Sequence, residues 1–335
     1  MKNLTLNKKS TILDFKESKI SSKDIATINK FKKLVTYEGD NGLRKIAKIL
    51  NEKELKSFKV TKSEFNQSDK FLSDSLKNSI LIAYANIKKY HQKQLDGLSI
   101  KNLETTKGIS LWSEFRPIDT VGLYIPGGTA PLFSSLLMQA IPAIIAGCKN
   151  IVICTPPDAK GKINPTILWV ANLLKIKNVY KVGGAQAIFA MAYGTDSIPK
   201  CLKIFGPGNK YVTEAKVIVN KDVPIDMPAG PSEVYVYSDD EKKVDIIASD
   251  LLSQLEHSVD AKAVLISKNE LLLDSIKSEI RQQKVDLKRQ LILDKSLKNI
   301  YLVKANNDQE IINFINDNAP EHLILLDNNF SKIVP

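Results

Sequence analysis

Two periods of apolar and polar residues follow one another along the chain, and the switch between them organises it. From about Ser22 to Asp96 the period is helical: Leu43, Ile46, Ile49 and Leu50 recur along one stripe, and Ile80, Leu81, Ala83, Tyr84 and Ile87 along another. Residues 1–20 ahead of it are polar and read as an arm ordered by docking. After Gly108 short β-rich runs alternate with helical ones. Strands are predicted over 121–125, 150–154 and 179–182, with helices over 133–146, 166–174 and 185–193. After Ser232 a second such series begins, with strands over 233–237, 263–266, 300–303 and 323–326. Its helices run through Gln254 and His257, over 271–283 and over about 308–316.

Strand and helix in alternation mean parallel sheets covered by helices, and few charges in the strands fit burial on both faces. The early helices have no sheet of their own. They are expected to pack on the second series, so that residues 21–123 with 233–335 form one discontinuous α/β domain and residues 124–232 an inserted one.

The length of 335 residues suits about two domains and a real core. A hydrophobic share of 43% with 25% charged residues is ordinary globular composition. The net charge of +11 comes from 48 Lys and Arg against 37 Asp and Glu, with the lysines scattered and no arginine cluster. Nucleic-acid binding is therefore unsupported. Cys148, Cys154 and Cys201 form no CxxC pair, which fits small buried hydrophobes in a reducing cytoplasm. Residues 120–148 carry no charge, but Pro126, Gly127, Gly128, Pro131 and Pro142 interrupt any spanning helix, so no membrane segment is expected. No secretory signal precedes the chain's first polar residues.

Three constellations carry candidate chemistry. Glycine-rich turns at 127–128, 183–184 and 206–208 lie at strand ends or helix starts, the edge where open α/β sheets bind ligands. There freed N–H groups approach phosphates; tight structural turns are the competing reading, and no GxGxxG fingerprint is present. Glu321 and His322 adjoin at an element boundary, an arrangement able to move two protons and equally one of surface polar residues. Gln254 and His257 stand at helical spacing, about 5–6 Å apart on one face, and offer half of a zinc shell or simply a polar face. Glu256 between them points away, and His91 reads as a surface or capping residue.

Taken in order, RPIDTVGLYIPGG, NVYKVGGAQAIFAMAYGT, KIFGPGNKYVTEAK, IDMPAGPSEV, ASDLLSQLEH and APEHLI resemble the histidinol dehydrogenase family over about residues 111–326. The resemblance implies two incomplete Rossmann-like parallel-sheet domains, aldehyde-dehydrogenase-like, one inserted in the other, and an intertwined homodimer. It implies oxidation of L-histidinol to L-histidine by NAD with a bound Zn²⁺. Carried over by position, Glu321 and His322 match the catalytic pair, and Tyr124, Gln186 and Asn209 match cofactor positions. Ser232, Gln254, His257 and His322 match substrate contacts, with Gln254 and His257 also metal ligands.

The family's remaining ligands, an aspartate in a GDY-type segment, a glutamate and a further histidine, would lie beyond Pro335. A truncated sequence is expected on that ground. The alternatives are a remnant that binds NAD or a partner without catalysis, and a cysteine-dependent aldehyde dehydrogenase using Cys148 or Cys154.

Overall fold

The computed structural model describes residues 1–6, 12–13, 20–97, 102–127, 132–228 and 232–326. Two bodies divide the chain: Met1–Ser18 with Gly230–Pro335, and Lys19–Ala229.

The first body contributes β1 (Lys2–Thr5) before the chain enters the second. There α1 (Ser22–Ile49), α2 (Lys62–Ser68) and α3 (Asp74–Asp96) lead to an antiparallel hairpin of β2 (Leu103–Thr106) and β3 (Ile109–Leu111). An alternating series follows: β4 (Thr120–Tyr124), α4 (Phe133–Ile145), β5 (Asn150–Cys154), α5 (Pro165–Leu173), β6 (Asn178–Tyr180), α6 (Gly184–Tyr193), β7 (Lys203–Phe205) and α7 (Lys210–Val219). Back in the first body come β8 (Glu233–Tyr237), α8 (Val244–Leu255), β9 (Lys262–Ser267), α9 (Glu270–Lys284), α10 (Gln290–Ser296), β10 (Ile300–Lys304), α11 (Asp308–Asn318) and β11 (Leu323–Leu325).

In the Lys19–Ala229 body the strands form a parallel sheet in the order β6-β5-β4-β7. The two-residue period of a strand divides its side chains between faces. Val152 and Cys154 of β5 join Ile188 and Phe189 of α6 on one face, while Ile151 and Ile153 join Leu136, Ile141 and Val170 of α4 and α5 on the other. Gly122 of β4 faces a crowded layer, where a Cβ would meet Met191 Sδ at 2.8 Å.

The expected partner of the early helices is corrected here. Ile28, Phe31 and Val35 of α1 lie in the core with α6 and α7, and Ile80 of α3 lies with α4 and α5. Residues 22–96 therefore belong with the four-stranded sheet, and not with residues 233–335. Their apolar stripes require an apolar partner without specifying which sheet supplies it. Residues 50–61, which the helical expectation spans, connect α1 to α2 without helix, and α1 itself breaks at Gly39, where φ is +53°.

In the other body five strands run parallel in the order β1-β10-β9-β8-β11. Val234, Val236 and Leu265 pack under α8 and α9, and Tyr235, Val264 and Val303 under α11, where Phe314 stacks on Tyr235 at 5.9 Å. Within the arm expected at 1–20, Lys2–Thr5 docks as the edge strand beside β10.

All three cysteines are free thiols. Burial pushes Cys201 up to about 12 and Cys154 well above its ordinary value, and raises Cys148 as well. Neutral and enclosed, Cys154 and Cys201 serve as core residues.

Two tests follow from this packing. Phe31→Ala should cost about 3–5 kcal/mol in urea unfolding; an unchanged midpoint would detach α1 from this face. Iodoacetamide at pH 8 should leave Cys154 and Cys201 unmodified in the folded protein and alkylate both after unfolding, as read by peptide mass spectrometry.

Candidate functional site

Polar candidates collect at opposite edges of the two sheets. In the Lys19–Ala229 body they gather where strands end. Tyr124 closes β4, and its buried hydroxyl accepts a hydrogen bond from the Gly184 N–H at 3.0 Å, at the start of α6. Desolvation pushes the Tyr124 hydroxyl up to about 12, so it stays protonated at neutral pH and keeps a proton to donate. Gln186 sits in the first turn of α6 and is buried. Asn209 caps α7, its side-chain oxygen accepting from the N–H groups of Tyr211 and Val212 at 3.1 Å each. That use of the oxygen leaves the amide nitrogen as the end with donors to offer.

The glycines of these turns are needed for packing. A Cβ at Gly183 would come within 2.4 Å of Pro156, one at Gly127 within 2.3 Å of the same ring, and one at Gly206 within 2.2 Å of the Tyr124 carbonyl oxygen. The tight-turn reading thus holds at each of them, and the loops are drawn together around Tyr124 and Pro156. Gly128 lies outside the described residues.

Two further features mark this edge. A cavity of about 760 Å³ opens beyond Pro126 and Thr155, bounded by α2 and the start of α5 and lined by both carboxylates (Glu64, Asp158) and lysines (Lys160, Lys162). Gln139 of α4 donates to the Tyr124 carbonyl at 3.4 Å, yet its own oxygen is buried without a partner. Because the Tyr124 carbonyl only accepts, the amide orientation is fixed, and the open position awaits a donor.

In the other body the candidates gather where strands begin. β11 pairs with β8 in the register Leu323 to Tyr235, which sets Glu321 and His322 beside Glu233. The contacts are reciprocal: Glu233 N–H donates to Glu321 Oε2 at 3.4 Å, and Glu321 N–H to Glu233 Oε1 at 3.2 Å. His322 Nδ1 lies 3.1 Å from the Glu233 carbonyl oxygen. A carbonyl only accepts, so the neutral ring carries its proton on Nδ1 and presents Nε2 as a base. Glu321 Oε2 is 3.7 Å from that same Nδ1, and both side chains are more than half exposed. Ser232 joins this edge through its carbonyl, which accepts from Lys262 N–H at 3.1 Å at the start of β9.

Gln254 and His257 arrive at the end of α8, just before β9. The helix stops at Leu255 with Glu256 as its cap, which corrects the expectation of one continuous helical face. His257 follows in a bend, its N–H donating to the Gln254 carbonyl at 3.2 Å. The Gln254 amide nitrogen is buried without a partner, so the fold does not anchor that end of the side chain. Both residues stand at a helix C-terminus, where the dipole favours a cation. No cluster of three or more His, Cys, Asp or Glu able to hold a metal occurs among the described residues. His91 is on the exposed end of α3, bonded through Nδ1 to Gln94 at 2.7 Å.

Glu233 is the residue that sequence reasoning misses. Its signal is position alone: it opens a strand and follows Ser232.

The family model for histidinol dehydrogenase matches residues 15–335. A histidinol dehydrogenase of Bacteroides fragilis (strain YCH46) is 46% identical over 297 residues, covering 88% of this chain and 69% of the relative. The crystal structure of histidinol dehydrogenase from Elizabethkingia anophelis superposes with a TM-score of 0.92 at 40% identity, covering all of this chain and 77% of that one. An NAD-dependent aldehyde dehydrogenase from Sinorhizobium meliloti, 10% identical with a TM-score of 0.51 over 94% of this chain and 77% of its own, shares the fold. Ordered motifs and sheet architecture thus agree, and this chain belongs to the histidinol dehydrogenase family, oxidoreductases that oxidise histidinol in histidine biosynthesis.

Proposed function

We propose that the protein oxidises L-histidinol to L-histidine in two successive two-electron steps through histidinaldehyde, with NAD as electron acceptor and zinc as substrate anchor. The observation that carries the chemistry is the His322 ring held at Nδ1 by the Glu233 carbonyl, 3.1 Å away. With Nε2 unprotonated, His322 accepts the alcohol proton as the carbinol carbon gives up its hydride, leaving the aldehyde. Glu321, whose carboxylate is exposed and steered by Glu233 N–H, takes a proton from the water that adds to the aldehyde. His322, protonated in the first step, returns its proton to the aldehyde oxygen as the hydrate forms. The hydrate then loses its hydride and passes one hydroxyl proton back to His322, and the resulting acid releases a further proton to solvent to become the carboxylate. Ser232 contacts the substrate from the start of β8.

NAD supplies the two-electron sink, and Zn²⁺ an electrophile that orients nitrogen donors of the substrate. Tyr124, Gln186 and Asn209 would hold the dinucleotide at the strand ends, a role supported by the starts of α6 and α7 there. Gln254 and His257 would hold the metal. Free, neutral thiols support a reducing compartment, the cytoplasm, and speak against a cysteine-dependent aldehyde dehydrogenase. No described helix is long and apolar enough to cross a membrane.

A homodimer is supported by the β2–β3 hairpin. Leu103, Ile109, Leu111, Trp112 and Phe115 are each more than half exposed on it and just after it. So many large apolar side chains exposed on one short segment call for cover.

Formation of NADH from histidinol tests the reading. Glu321→Gln and His322→Ala should each lower turnover at least about tenfold, and unaltered rates would remove both assignments. Sedimentation velocity should show a dimer that the double variant Leu111→Glu, Trp112→Glu dissociates. A monomeric wild type, or a dimer indifferent to those charges, would rule this face out.

A further inference from the structure

Lys216 is 2% exposed, a charged side chain in the interior of the Lys19–Ala229 body. It stands on α7 among Val212, Ala215 and Val219, so its burial follows from the helical period of its neighbours. An isolated ammonium in such a place is strongly unfavourable, and it persists only where every proton finds an acceptor. Here the three donors have three acceptors: the Gly206 carbonyl at 2.8 Å, the Met227 carbonyl at 3.1 Å and Asp226 Oδ1 in a close ion pair.

Asp226 completes the arrangement. Its Oδ2 accepts from Gly206 N–H at 2.8 Å. Both polar groups of Gly206 are therefore claimed by the same ion pair, the N–H by Asp226 and the carbonyl by Lys216. Gly206 has φ +124° and lies against the Tyr124 carbonyl, a place closed to any side chain. The segment carrying Asp226 is itself fixed beside β7: Ile204 N–H donates to Pro224 O at 3.0 Å, and Asp226 N–H to Ile204 O at 3.1 Å. Three residues after Gly206 stands Asn209.

We propose that the Lys216–Asp226 pair is a positioning device for Asn209: it fixes the 206–209 turn against the end of β4 and thereby sets affinity for the nicotinamide dinucleotide. Neither residue touches the reacting atoms. A salt bridge serves this purpose better than apolar packing, because its ammonium and carboxylate specify where two backbone groups must lie. The proposal rests on the cofactor reading of this edge given above.

The test uses Lys216→Met, which keeps the stem and removes the charge, together with the double variant Lys216→Met, Asp226→Asn. The double variant leaves no lone buried charge and keeps the experiment alive if the single one fails to fold. Each is checked for folding by circular dichroism, then titrated with NAD by calorimetry and assayed for KM of both substrates. The Kd for NAD should rise at least about tenfold while the KM for histidinol changes less than about twofold. Asn209→Ala added to either variant should bring little further loss, because the contact is already misplaced. A folded variant with NAD affinity within about twofold of wild type overturns the proposal, as does full additivity with Asn209→Ala. Failure of the wild type to bind NAD would instead refute the cofactor reading itself, and the positioning role with it.

Discussion

Parallel pairing is the constraint on which the rest of this molecule depends. Every strand pairing in the two larger sheets is parallel, and the inner strands are covered on both faces. Polar chemistry is thereby excluded from their length and displaced to their ends. A parallel sheet has two unlike ends. Where strands finish, covering helices begin and present N–H groups; where strands begin, helices finish and present carbonyls. Tyr124, Gln186 and Asn209 occupy the first kind of edge, suited to anionic phosphates. Gln254 and His257, at the end of α8, occupy the second, suited to a cation. One topology, used at opposite edges in the two bodies, thus gives the proposed cofactor and metal positions opposite electrostatic preferences.

Buried ionisable groups divide along the same lines. Cys154 and Cys201 lie in apolar layers without a charged partner, so burial simply keeps their protons on. Lys216 is as deeply enclosed, yet its surroundings are three acceptors brought together by a turn, a following segment and a carboxylate. The difference is geometric and not one of depth. The thiols sit within or against the layers of the sheet, whereas Lys216 reaches the strand-end edge, where backbone groups are left over from the ladder.

Much of this was legible from residue pattern. The strands over 150–154 and 233–237 are found as their β-branched runs predict, and the helix over 185–193 is found one residue longer. The packing of α1 and α3 was not legible, since an amphipathic stripe states a need for cover and is silent on its source. The end of α8 was equally hidden: LEHSVD contains neither glycine nor proline to mark a stop, and the helix closes at Leu255 by tertiary context. Of the site, motif order gave the residue types. What it withheld was Glu233, whose importance comes from β8 and β11 lying side by side across nearly ninety positions of chain.

That pairing also explains how adjacent residues come to share one neighbour, as their proposed roles require. Consecutive side chains on an extended backbone point to opposite sides, so Glu321 and His322 would ordinarily diverge. They precede the regular part of β11, and both are drawn to the same neighbour: the carboxylate of Glu321 to the Glu233 N–H, the ring of His322 to its carbonyl. Backbone groups of a single residue thus set the direction of one and the tautomer of the other, and bring Oε2 within 3.7 Å of Nδ1. Those two groups belong to the main chain of β8, and the Glu233 carboxylate adds a third tie by accepting from the Glu321 N–H at 3.2 Å. The proposed acid–base pair is therefore held by the sheet itself, which gives two exposed residues with few side-chain contacts a defined geometry.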